Sequence, residues 1–506
     1  MQAKGSPANP YDVAIVGYGP VGAALANLLG LYGINVLVLD REGPAYHLPR
    51  AVHFDDEVMR VIQTIGIADE MAECVHVNPG MKFIDSDGNL LLEWPRPPEI
   101  SAQGWHPSYR FHQPDLERLL RNALNRFASV DVRTRCDVVA IKDRGDNVEL
   151  TVNDLTSGET TTLVAKYVVG CDGARSFVRD VISSGLEDYG FHERWLVVDV
   201  LLRKPKQELG DFSIQHCDAN RPATYVRGTG NRRRWEITVH PDETDADLTS
   251  AAGTWQLLSP WLSSEEADIE RSAVYTFHSC IAKKWRDGRL LIAGDAAHQT
   301  PPFMGQGLCA GIRDAANLAW KLTAVVRNKV SDDLLDTYQS ERHPHIRAYV
   351  EMSVKLGQLI NMADPTQAIE AAFPRPDGSA KMTSLAPTLG PGVGLPGLAN
   401  IRELAPQLQL SSGQRIDDIS GYQFVLICEE PLLNETNVNL SELTAFGLHV
   451  VSADKEPAAA THLSSLKVRA VVIRPDRYTL GRANSPHELA ALCCFTRSLI
   501  MPLTSL

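Results

Sequence analysis

The sequence predicts an α/β fold in which a parallel, helix-covered sheet is interleaved with a second β-sheet and followed by a small α/β domain. Three observations support this expectation. Apolar strands alternate with helical patterns from the start of the chain, which is typical of βαβ units on a parallel sheet. From about Trp195 to His240, the segments "WLVVDVLL" and "RRRWEITVH" alternate or run apolar without helical spacing. A proline- and glycine-rich passage, Ala386–Ile401, then precedes a last set of strand candidates.

These changes of pattern divide the 506 residues into four segments. We expect a first helix-covered segment over 1–185, the second sheet over 186–280, a return to the first unit over 281–385 and a last domain over 400–506. A predicted helix from Gly307 to Val326 marks the return, because its apolar residues form one stripe. The last domain has two strand candidates, "YQFVLICEE" and "KVRAVVIRPDRYTL".

Composition limits the possible functions. The formal net charge of −13 argues against nucleic-acid binding, and the short basic run Arg232–Arg234 is better interpreted as a solvated strand end. The opening "MQAKGSPANP" has no apolar core, and no later stretch approaches the length of a membrane span. Nine cysteines lack CxxC or zinc-ligand spacing, so we expect neither a disulfide framework nor a metal site. These features predict a soluble, cytoplasmic protein without membrane or nucleic-acid partners.

The first element combines a strand, a glycine motif and a helix. Val13–Val16 is a short apolar strand, and GxGxxG spacing follows from Gly17 to Gly22. The first glycine permits a tight turn, the second lets the backbone approach a pyrophosphate, and the third lets the helix pack on the strand. A second strand, Val36–Leu39, ends at Asp40, whose carboxylate can accept hydrogen bonds from a ribose. This order favours a Rossmann-like dinucleotide site over a merely tight turn, but it does not separate FAD from NAD.

Two later segments also end an apolar strand in a carboxylate. "KYVVGCDGARSFVR" (Lys166–Arg179) does so at Asp172, either as part of a ligand site or as an aspartate cap on a turn. The strand Leu290–Ala293 delivers Asp295, and the loop after it reaches a helix that opens at Gly305–Gly307. A carboxylate there can accept hydrogen bonds from a polyol chain. Bare glycine backbone can approach a flat ring, and the helix start offers partial positive charge to a reduced flavin.

With these three motifs in this order, the chain resembles the aromatic-ring-hydroxylating flavoprotein monooxygenases related to p-hydroxybenzoate and phenol hydroxylases. The matching signatures are GxGxxG, DGxxSxxR at Asp172–Arg179, and "GDAAHQTPPFMGQG". The resemblance covers about the first 350 residues, including "LLDTYQSERHP". Within the family, "LPRAVHFDDEVMRV" and "FHQPDLERLL" look closest to the 3-(3-hydroxyphenyl)propionate and resorcinol hydroxylases.

The resemblance implies one FAD held by residues of all three motifs. Gln113 would touch the flavin side or only flank a helix start, and the carbonyl of Pro302 would face substrate and flavin. Cys309 stands where the family often has Asn, and a thiol is a poor replacement for an amide donor and acceptor in a flavin contact. The implied FAD-binding residues are Gly17, Gly19, Gly22, Asp40, Arg41, Arg50, Gln113, Asp172, Gly173, Gly294, Asp295, Pro302, Gly305, Gly307 and Leu308.

The implied reaction has two halves. NADH or NADPH reduces FAD, and the reduced flavin captures O2 as a C4a-hydroperoxide that hydroxylates a small phenolic substrate. The protein then has to exclude water, place the ring and help the phenol lose its proton. The resemblance extends to the last domain, which is similar to the thioredoxin-like C-terminal unit of phenol hydroxylase relatives but lacks CxxC. We expect this domain to serve assembly or packing and not dithiol chemistry, and a homodimer is the assembly that we consider.

Strand alternation identifies candidate catalytic residues. In "RRRWEITVH", Arg234 and Glu236 share the polar face, which we expect to look toward flavin and substrate unless the two form an ordinary surface ion pair. Tyr225 lies nearby. His53 and Asp55 are candidates for a proton relay, although a structural role for the histidine is also open. Pro302 completes the set of residues expected near the reaction.

Three other functions share this fold. A flavin-dependent halogenase would commonly carry a WxWxIP segment, which the sequence lacks. A squalene-type membrane epoxidase would need an apolar anchor. A non-hydroxylating flavoprotein, or a flavin-binding module whose last domain recruits a partner, is the alternative from a different class.

Overall fold

A computed structural model describes residues 4–43, 50–328, 330–362, 365–373, 380–395, 402–436 and 438–500 of the protein. In these parts of the chain the strands form two sheets of eight strands, one of four and one of three. The predicted α/β fold class is confirmed. Part of the proline- and glycine-rich passage, residues 396–401, lies outside the described residues, as do residues 44–49 in the first segment.

The first segment carries both the start of the parallel sheet and strands that belong elsewhere. The elements, in chain order, are β1 (Tyr11–Val16), α1 (Pro20–Leu31), β2 (Val36–Asp40), β3 (His53–Asp55), α2 (Asp56–Ile65), α3 (Ala68–Ala72), β4 (His76–Val77), β5 (Gly80–Ile84), β6 (Leu90–Pro95), β7 (Ser108–Arg110), α4 (Gln113–Leu124), β8 (Val130–Thr134), β9 (Cys136–Asp143), β10 (Val148–Asp154), β11 (Thr160–Gly170) and α5 (Phe177–Ile182).

The second segment supplies long antiparallel strands. Its elements are β12 (Leu186–Leu202), β13 (Ser213–His216), β14 (Ala223–Arg227), β15 (Arg232–Thr238), α6 (Asp245–Thr249), α7 (Ala251–Leu258) and β16 (Ala267–Ala282). The chain then returns to the first unit through β17 (Arg286–Asp287), β18 (Leu290–Ile292), β19 (His298–Gln299), α8 (Gly307–Asn328), α9 (Asp336–Ile360) and α10 (Pro365–Ala372).

The parallel sheet places three predicted motifs at one edge. Strands β8, β2, β1, β11 and β18 lie side by side in that order, and every neighbouring pair is parallel. Parallel strands end at the same edge, so the turns after β1, β11 and β18 meet there. Helix α1 packs between this sheet and α8 and is buried almost along its full length because its residues are mostly Ala, Leu and Gly.

The second sheet draws on more of the chain than 186–280. Its order is β19-β16-β12-β15-β14-β13-β5-β6, so residues 80–95 and 298–299 contribute strands to it. One face packs on α6 and α7 in a core of its own, which contains Trp235 and Ile237 of β15. The opposite face, with Arg234 and Glu236, lines a cavity shared with the parallel sheet.

The C-terminal part forms a small mixed sheet against the first unit. Strand β20 lies parallel to β21 and antiparallel to β22, which pairs in turn with β23, and this is the arrangement of a thioredoxin-like unit. The predicted stretch "KVRAVVIRPDRYTL" is therefore two strands joined by a turn. The elements are α11 (Ile416–Ser420), β20 (Phe424–Cys428), α12 (Glu430–Glu435), α13 (Leu440–Ala445), β21 (Leu448–Ser452), α14 (Pro457–Leu466), β22 (Ala470–Ile473), β23 (Thr479–Ala483) and α15 (Pro486–Ile500).

Candidate active site

A cavity of about 1090 Å³ runs between the parallel sheet and the second sheet. It is lined by residues of all three predicted motifs and by the polar face of β15. Of the residues predicted from the sequence, the following line it: Gly19, Arg41, Arg50, His53, Gln113, Asp172, Gly173, Arg234, Glu236, Asp295, Pro302, Gly305, Gly307 and Leu308.

The glycine motif after β1 leaves room for a ligand at one position only. Gly17 has φ of +105°, and a Cβ there would lie 2.3 Å from the carbonyl oxygen of Cys171. A Cβ on Gly22 would lie 2.1 Å from the carbonyl oxygen of Gly17. At Gly19, by contrast, a Cβ would meet no atom within 4 Å. The outer glycines are therefore needed by the fold, whereas Gly19 presents bare backbone to the cavity, as a pyrophosphate requires.

Asp40 ends β2 beside this turn. Its carboxylate accepts hydrogen bonds from the backbone N–H groups of Tyr18, at 2.6 Å, and Glu42, at 2.7 Å. The aspartate thereby shapes the loop after β2, and the neighbouring Arg41, not Asp40, is the residue that lines the cavity.

The motif after β11 is both a helix cap and part of the cavity wall. Asp172 accepts a hydrogen bond from the hydroxyl of Ser176, at 2.5 Å, and from the N–H of Val178, at 3.2 Å. Burial raises the pKa of the Asp172 carboxyl. Arg179 donates to the carbonyl oxygens of Ala174 and Ala296, at 2.8 and 3.1 Å, and so ties this loop to the next motif. Asp172 therefore caps a helix and also lines the cavity, so the two interpretations that the sequence left open, an aspartate cap and part of a ligand site, are compatible.

The loop after β18 forms the opposite wall. Asp295 is exposed toward the cavity, while the N–H of Gly294 donates to the buried carboxylate of Asp314 at 3.1 Å. The carbonyl of Pro302 accepts the N–H of Gly305 at 2.8 Å, within a short turn. A Cβ at Gly307 would meet no atom within 4 Å. Because Gly19 and Gly307 both leave open space with bare backbone, the cavity fits a dinucleotide at one end and a flat ring at the other.

Gln113 fixes the end of the loop that leads along the cavity into β3. It is the first residue of α4, and its amide oxygen accepts the N–H groups of Arg50, at 3.1 Å, and Ala51, at 2.7 Å. Its amide nitrogen donates to Glu117 at 2.8 Å. Gln113 thus starts a helix and also lines the cavity.

Charged residues cluster on the second sheet at the far end of the cavity. Arg234 donates from Nε to Asp199 at 2.7 Å and from Nη1 to the carbonyl oxygen of Arg50 at 2.6 Å. Arg271 approaches the same Asp199 carboxylate at 2.6 Å. The carboxylate of Glu236 lies 3.6 Å from Arg234, and burial raises the pKa of Glu236. The pair expected as a possible surface ion pair is in fact buried.

Two of the predicted catalytic residues, Tyr225 and Asp55, lie away from the cavity, as do the predicted FAD-binding residues Gly17, Gly22, Asp40 and Gly294. Tyr225 was expected near the substrate, but it packs in the core under α6 and α7, where its ring lies 5.1 Å from that of Trp235. Its neighbours Thr224 and Val226 line the cavity instead. Asp55 caps α2 by accepting the N–H of Val58 at 3.1 Å and is ion-paired with Arg313 at 2.5 Å. Tyr225 is therefore not part of the substrate pocket, and Asp55, which was a candidate for the proton relay, does not line the cavity.

Several polar residues of the cavity were not predicted from the sequence, among them Arg110, Ser213 and Asn78. Arg110 lies on β7, is 8% exposed, and donates from Nη2 to the hydroxyl of Ser213 at 2.6 Å. Its Nε has no hydrogen-bond partner among the described residues. Burial, with the neighbouring Arg96, lowers the pKa of Arg110 to about 9. Asn78 lines the same end of the cavity.

Cys309 takes the place of the usual asparagine without reaching the cavity. Its thiol is fully buried and lies 3.7 Å from the carbonyl oxygen of Gly305 and 4.0 Å from that of His53. Burial raises the pKa of the thiol well above its ordinary value. Cys309 therefore supports the loop from behind. In the described residues we find no helix suited to crossing a membrane and no cluster of three metal-ligating side chains.

Comparison with known proteins agrees with this geometry. Residues 10–353 match the family described as FAD binding domain, so the chain belongs to that family of FAD-binding proteins. A probable NADH-specific resorcinol 4-hydroxylase of Rhodococcus jostii (strain RHA1) is 34% identical over all of this chain and 98% of that protein. A 3-(3-hydroxy-phenyl)propionate/3-hydroxycinnamic acid hydroxylase of Mycolicibacterium gilvum (strain PYR-GCK) is 40% identical over 72% of this chain, and the match spans 62% of that relative.

Solved structures share the whole architecture. The flavin-dependent monooxygenase PieE, solved with FAD and substrate, has a TM-score of 0.81 over 98% of this chain and all of its own, at 19% identity. The anhydrotetracycline hydroxylase OxyS of Streptomyces rimosus has a TM-score of 0.77 over 97% of this chain and 99% of its own, at 24% identity. At these identities the likeness concerns the fold.

Proposed function

We propose that this protein is an FAD-dependent monooxygenase that uses NADH and O2 to hydroxylate a small phenol. The observation that carries the proposal is the single cavity that joins the glycine motif after β1 to the polar face of β15. An enzyme that reduces its flavin and then hydroxylates a ring needs both ends in one enclosed space. The family match over residues 10–353 supports FAD, and the hydroxylase relatives support the reaction.

The residues of the chain have distinct tasks. Gly19 and Arg41 hold the dinucleotide end, and Asp295 and the backbone at Gly307 hold the flavin end. Bound FAD supplies the redox chemistry that accepts a hydride and activates O2. The buried walls exclude water from the reacting centre. Glu236 accepts the phenolic proton, because burial makes its carboxylate a stronger base than usual.

The charge at the far end of the cavity indicates a phenol with an acidic substituent. Arg234 is ion-paired with both Asp199 and Glu236, and Arg271 with Asp199, whereas Arg110 is a third buried arginine in the same wall of the cavity. Arg110 forms no ion pair within the described part of the chain, and its buried Nε has no partner there. A buried cation without a direct ion pair is costly, so an anionic ligand group is favoured at this point. The acid named in the M. gilvum relative fits this chemistry better than resorcinol.

The finer parts of the proposal concern the nicotinamide, assembly and location. The R. jostii relative is named NADH-specific, and we adopt NADH for this chain on that basis. We also propose a cytoplasmic homodimer without nucleic-acid or membrane partners. In functional terms, residues 1–185 and 281–385 bind FAD, residues 186–280 with the strands at 80–95 cover the substrate, and 400–506 form the thioredoxin-like unit.

A panel of phenols tests the function. The purified protein is loaded with FAD and given NADH or NADPH with resorcinol, 3-(3-hydroxyphenyl)propionate or a neutral alkylphenol. Nicotinamide oxidation and hydroxylated product are measured together, with halide added in a parallel series. Product formed one-to-one with NADH, best with the acidic phenol, supports the proposal. Halogenated product, or flavin binding without stimulated NADH oxidation by any phenol, contradicts it and favours a halogenase or a flavin-binding module.

A further inference from the structure

A turn of the C-terminal unit penetrates the FAD-binding part. The turn Arg474–Tyr478 joins β22 to β23, and its side chains are buried among α2, α8 and α9. Arg474 donates to both carboxylate oxygens of Glu341 on α9, at 2.8 and 2.9 Å. Asn317 on α8 donates to Asp476 at 2.9 Å. The turn is thus held by buried polar contacts on several sides, which place the hydroxyl of Tyr478 accurately.

From this hydroxyl, one chain of hydrogen bonds leads to the loop at the flavin end. Tyr478 donates to Glu57 at 3.0 Å, and Glu57 is ion-paired with Arg313. Arg313 donates to the side-chain oxygen of Gln306 at 3.1 Å and to Asp55 at 2.5 Å. Gln306 in turn donates from its nitrogen to Asp55 at 3.3 Å. Gln306 lines the cavity between the two glycines that open α8, so this chain fixes the backbone there.

A second chain leads from the same hydroxyl to the other half of the motif. Nε2 of His345 lies 3.4 Å from Oη of Tyr478, and Nδ1 accepts from Arg342 at 3.0 Å. Arg342 donates to one carboxylate oxygen of Asp314 at 2.9 Å, and the other oxygen accepts the N–H of Gly294 at 3.1 Å. Gly294 immediately precedes Asp295, whose carboxylate faces the cavity.

The directions of these bonds are mutually consistent. A guanidinium can only donate, so Nδ1 of His345 is the acceptor and its Nε2 carries the proton toward Tyr478. The Tyr478 hydroxyl then has its own proton free for Glu57, which as a carboxylate only accepts. Along the path from Arg342 to Glu57, each donated hydrogen therefore has one acceptor. Such connected networks hold a single arrangement more firmly than isolated contacts do.

We propose that Tyr478 is a positioning residue through which the thioredoxin-like unit sets the geometry of both loops at the flavin end of the cavity. This inference rests on the proposed binding of FAD there. It gives the C-terminal unit a task beyond packing: it holds the bare backbone at Gly305–Gly307 and at Gly294 at the spacing that the ring requires. Without the hydroxyl, Glu57 and His345 each lose a partner and both loops gain freedom.

The test compares Tyr478→Phe with Tyr422→Phe in the full-length protein. Tyr422 is a matched control, because its hydroxyl is buried at the same interface but donates to the backbone carbonyl of Ala316 on α8. We expect Y478F to raise the Kd for FAD about tenfold, the effect of one lost hydrogen bond to a charged group. We also expect an altered visible circular dichroism spectrum of the bound flavin and more H2O2 per hydroxylated product. Y422F keeps the flavin spectrum of the wild type.

A double variant tests the route. Y478F and Gln306→Leu both interrupt the first chain, whereas the second chain, from Tyr478 to Gly294, stays intact in Gln306→Leu. The double variant should therefore change the binding free energy of FAD by less than the sum of the two single variants. Full additivity of the two changes contradicts the proposal. So does a Y478F protein with the FAD affinity and spectrum of the wild type, or equal losses in Y478F and Y422F. The spectra and affinities are read without substrate, so they remain informative even if no phenol is hydroxylated, a result that overturns only the proposed function.

Discussion

Nε2 of His53 lies 2.8 Å from the hydroxyl oxygen of Ser108. On the other side of the ring, Nδ1 lies 3.2 Å from the carbonyl oxygen of Gly305. Since a carbonyl only accepts, Nδ1 carries the proton and Nε2 accepts from Ser108. Burial, aided by the charge of Arg110, lowers the pKa of His53 to about 3. The imidazole is therefore neutral at working pH and holds the loop at Gly305, which argues against the proton relay considered from the sequence.

The neutral histidine predicts a specific pH dependence of stability. Its pKa of about 3 in the folded protein lies below the ordinary 6.5, so the unfolded chain binds more protons between these values. The free energy of unfolding consequently falls as pH drops below 6.5, by roughly 1.5 kcal/mol from this group between pH 6.5 and 5. Urea unfolding of the wild type and His53→Gln over this range checks the effect. An equal slope in both proteins contradicts the assignment.

The raised pKa of Glu236 predicts a fall in rate on the acid side of the pH–rate profile. Because burial raises its pKa, the carboxylate becomes protonated at a higher pH than a free glutamate and then cannot accept the phenolic proton. We expect kcat/KM to fall as pH drops through that raised pKa. Glu236→Gln lowers kcat about a hundredfold, within the usual range for a lost general base, and removes the acid limb. An unchanged limb in the variant shows that another group titrates.

Arg110 predicts the preference for acidic phenols. Arg110→Gln removes the buried cation, so we expect KM for 3-(3-hydroxyphenyl)propionate to rise about tenfold to a hundredfold while KM for a neutral phenol changes little. Arg233→Gln is the control, since Arg233 precedes Arg234 on β15 but does not line the cavity. Equal losses for both phenols in the Arg110 variant refute the role in binding an acidic group.

Gly19 separates ligand binding from folding. Gly19→Ala fits the polypeptide, because a Cβ there meets no atom within 4 Å. It intrudes on the space left for the pyrophosphate, so we expect the melting temperature of the FAD-free protein to stay unchanged and FAD affinity to fall at least about tenfold. Gly185→Ala serves as the control, with only Lys283 at 3.7 Å from the added methyl. FAD titration by fluorescence measures the affinity of both variants. Unaltered affinity in G19A would exclude the turn at Gly19 as the pyrophosphate site.

Glu341 predicts how firmly the C-terminal unit is attached. Its carboxylate accepts from Arg474 and from Lys321, the latter at 2.7 Å, with all three side chains buried. Glu341→Gln leaves the buried Lys321 without its carboxylate partner and Arg474 with Asp476 alone, and it should lower the free energy of unfolding by about 3–5 kcal/mol. Glu442→Gln, which breaks the half-exposed pair with Arg497, should cost under about 1 kcal/mol. Similar losses in the two variants would show that the buried network stabilises the protein no more than a partly exposed ion pair does.

Local patterns in the sequence were enough to predict most of the parallel sheet and the polar face of one strand in the second sheet. The turns after β1, β11 and β18 follow directly from apolar runs that end in Gly or Asp. The alternation in β15 correctly separated Arg234 from Trp235. Tyr225 could not be placed in the same way, because it lies opposite Trp235 in the sheet and so shares its buried face. A one-residue change of register would have reversed that outcome, and register is not visible in one strand alone.

Residues brought together by distant pairing were missed for a related reason. Arg110 is opposite His53 in a three-stranded sheet whose strands are only two or three residues long. The parallel pairing of β5 with β13 likewise joins residues 80–84 to the second sheet. Neither pairing leaves a local signal, because short strands lack a readable period. The hydrogen bonds from Tyr478 to the flavin end depend on tertiary packing in the same way.

The absorption spectrum of the purified protein, recorded after incubation with FAD and desalting, shows whether the cavity between the Asp295 loop and α8 binds FAD. We expect a yellow protein that retains about one FAD per chain, and a G19A variant that retains much less under the same conditions. A colourless wild-type protein with no bound FAD would mean that this cavity serves another ligand and that the protein is not a flavin-dependent hydroxylase.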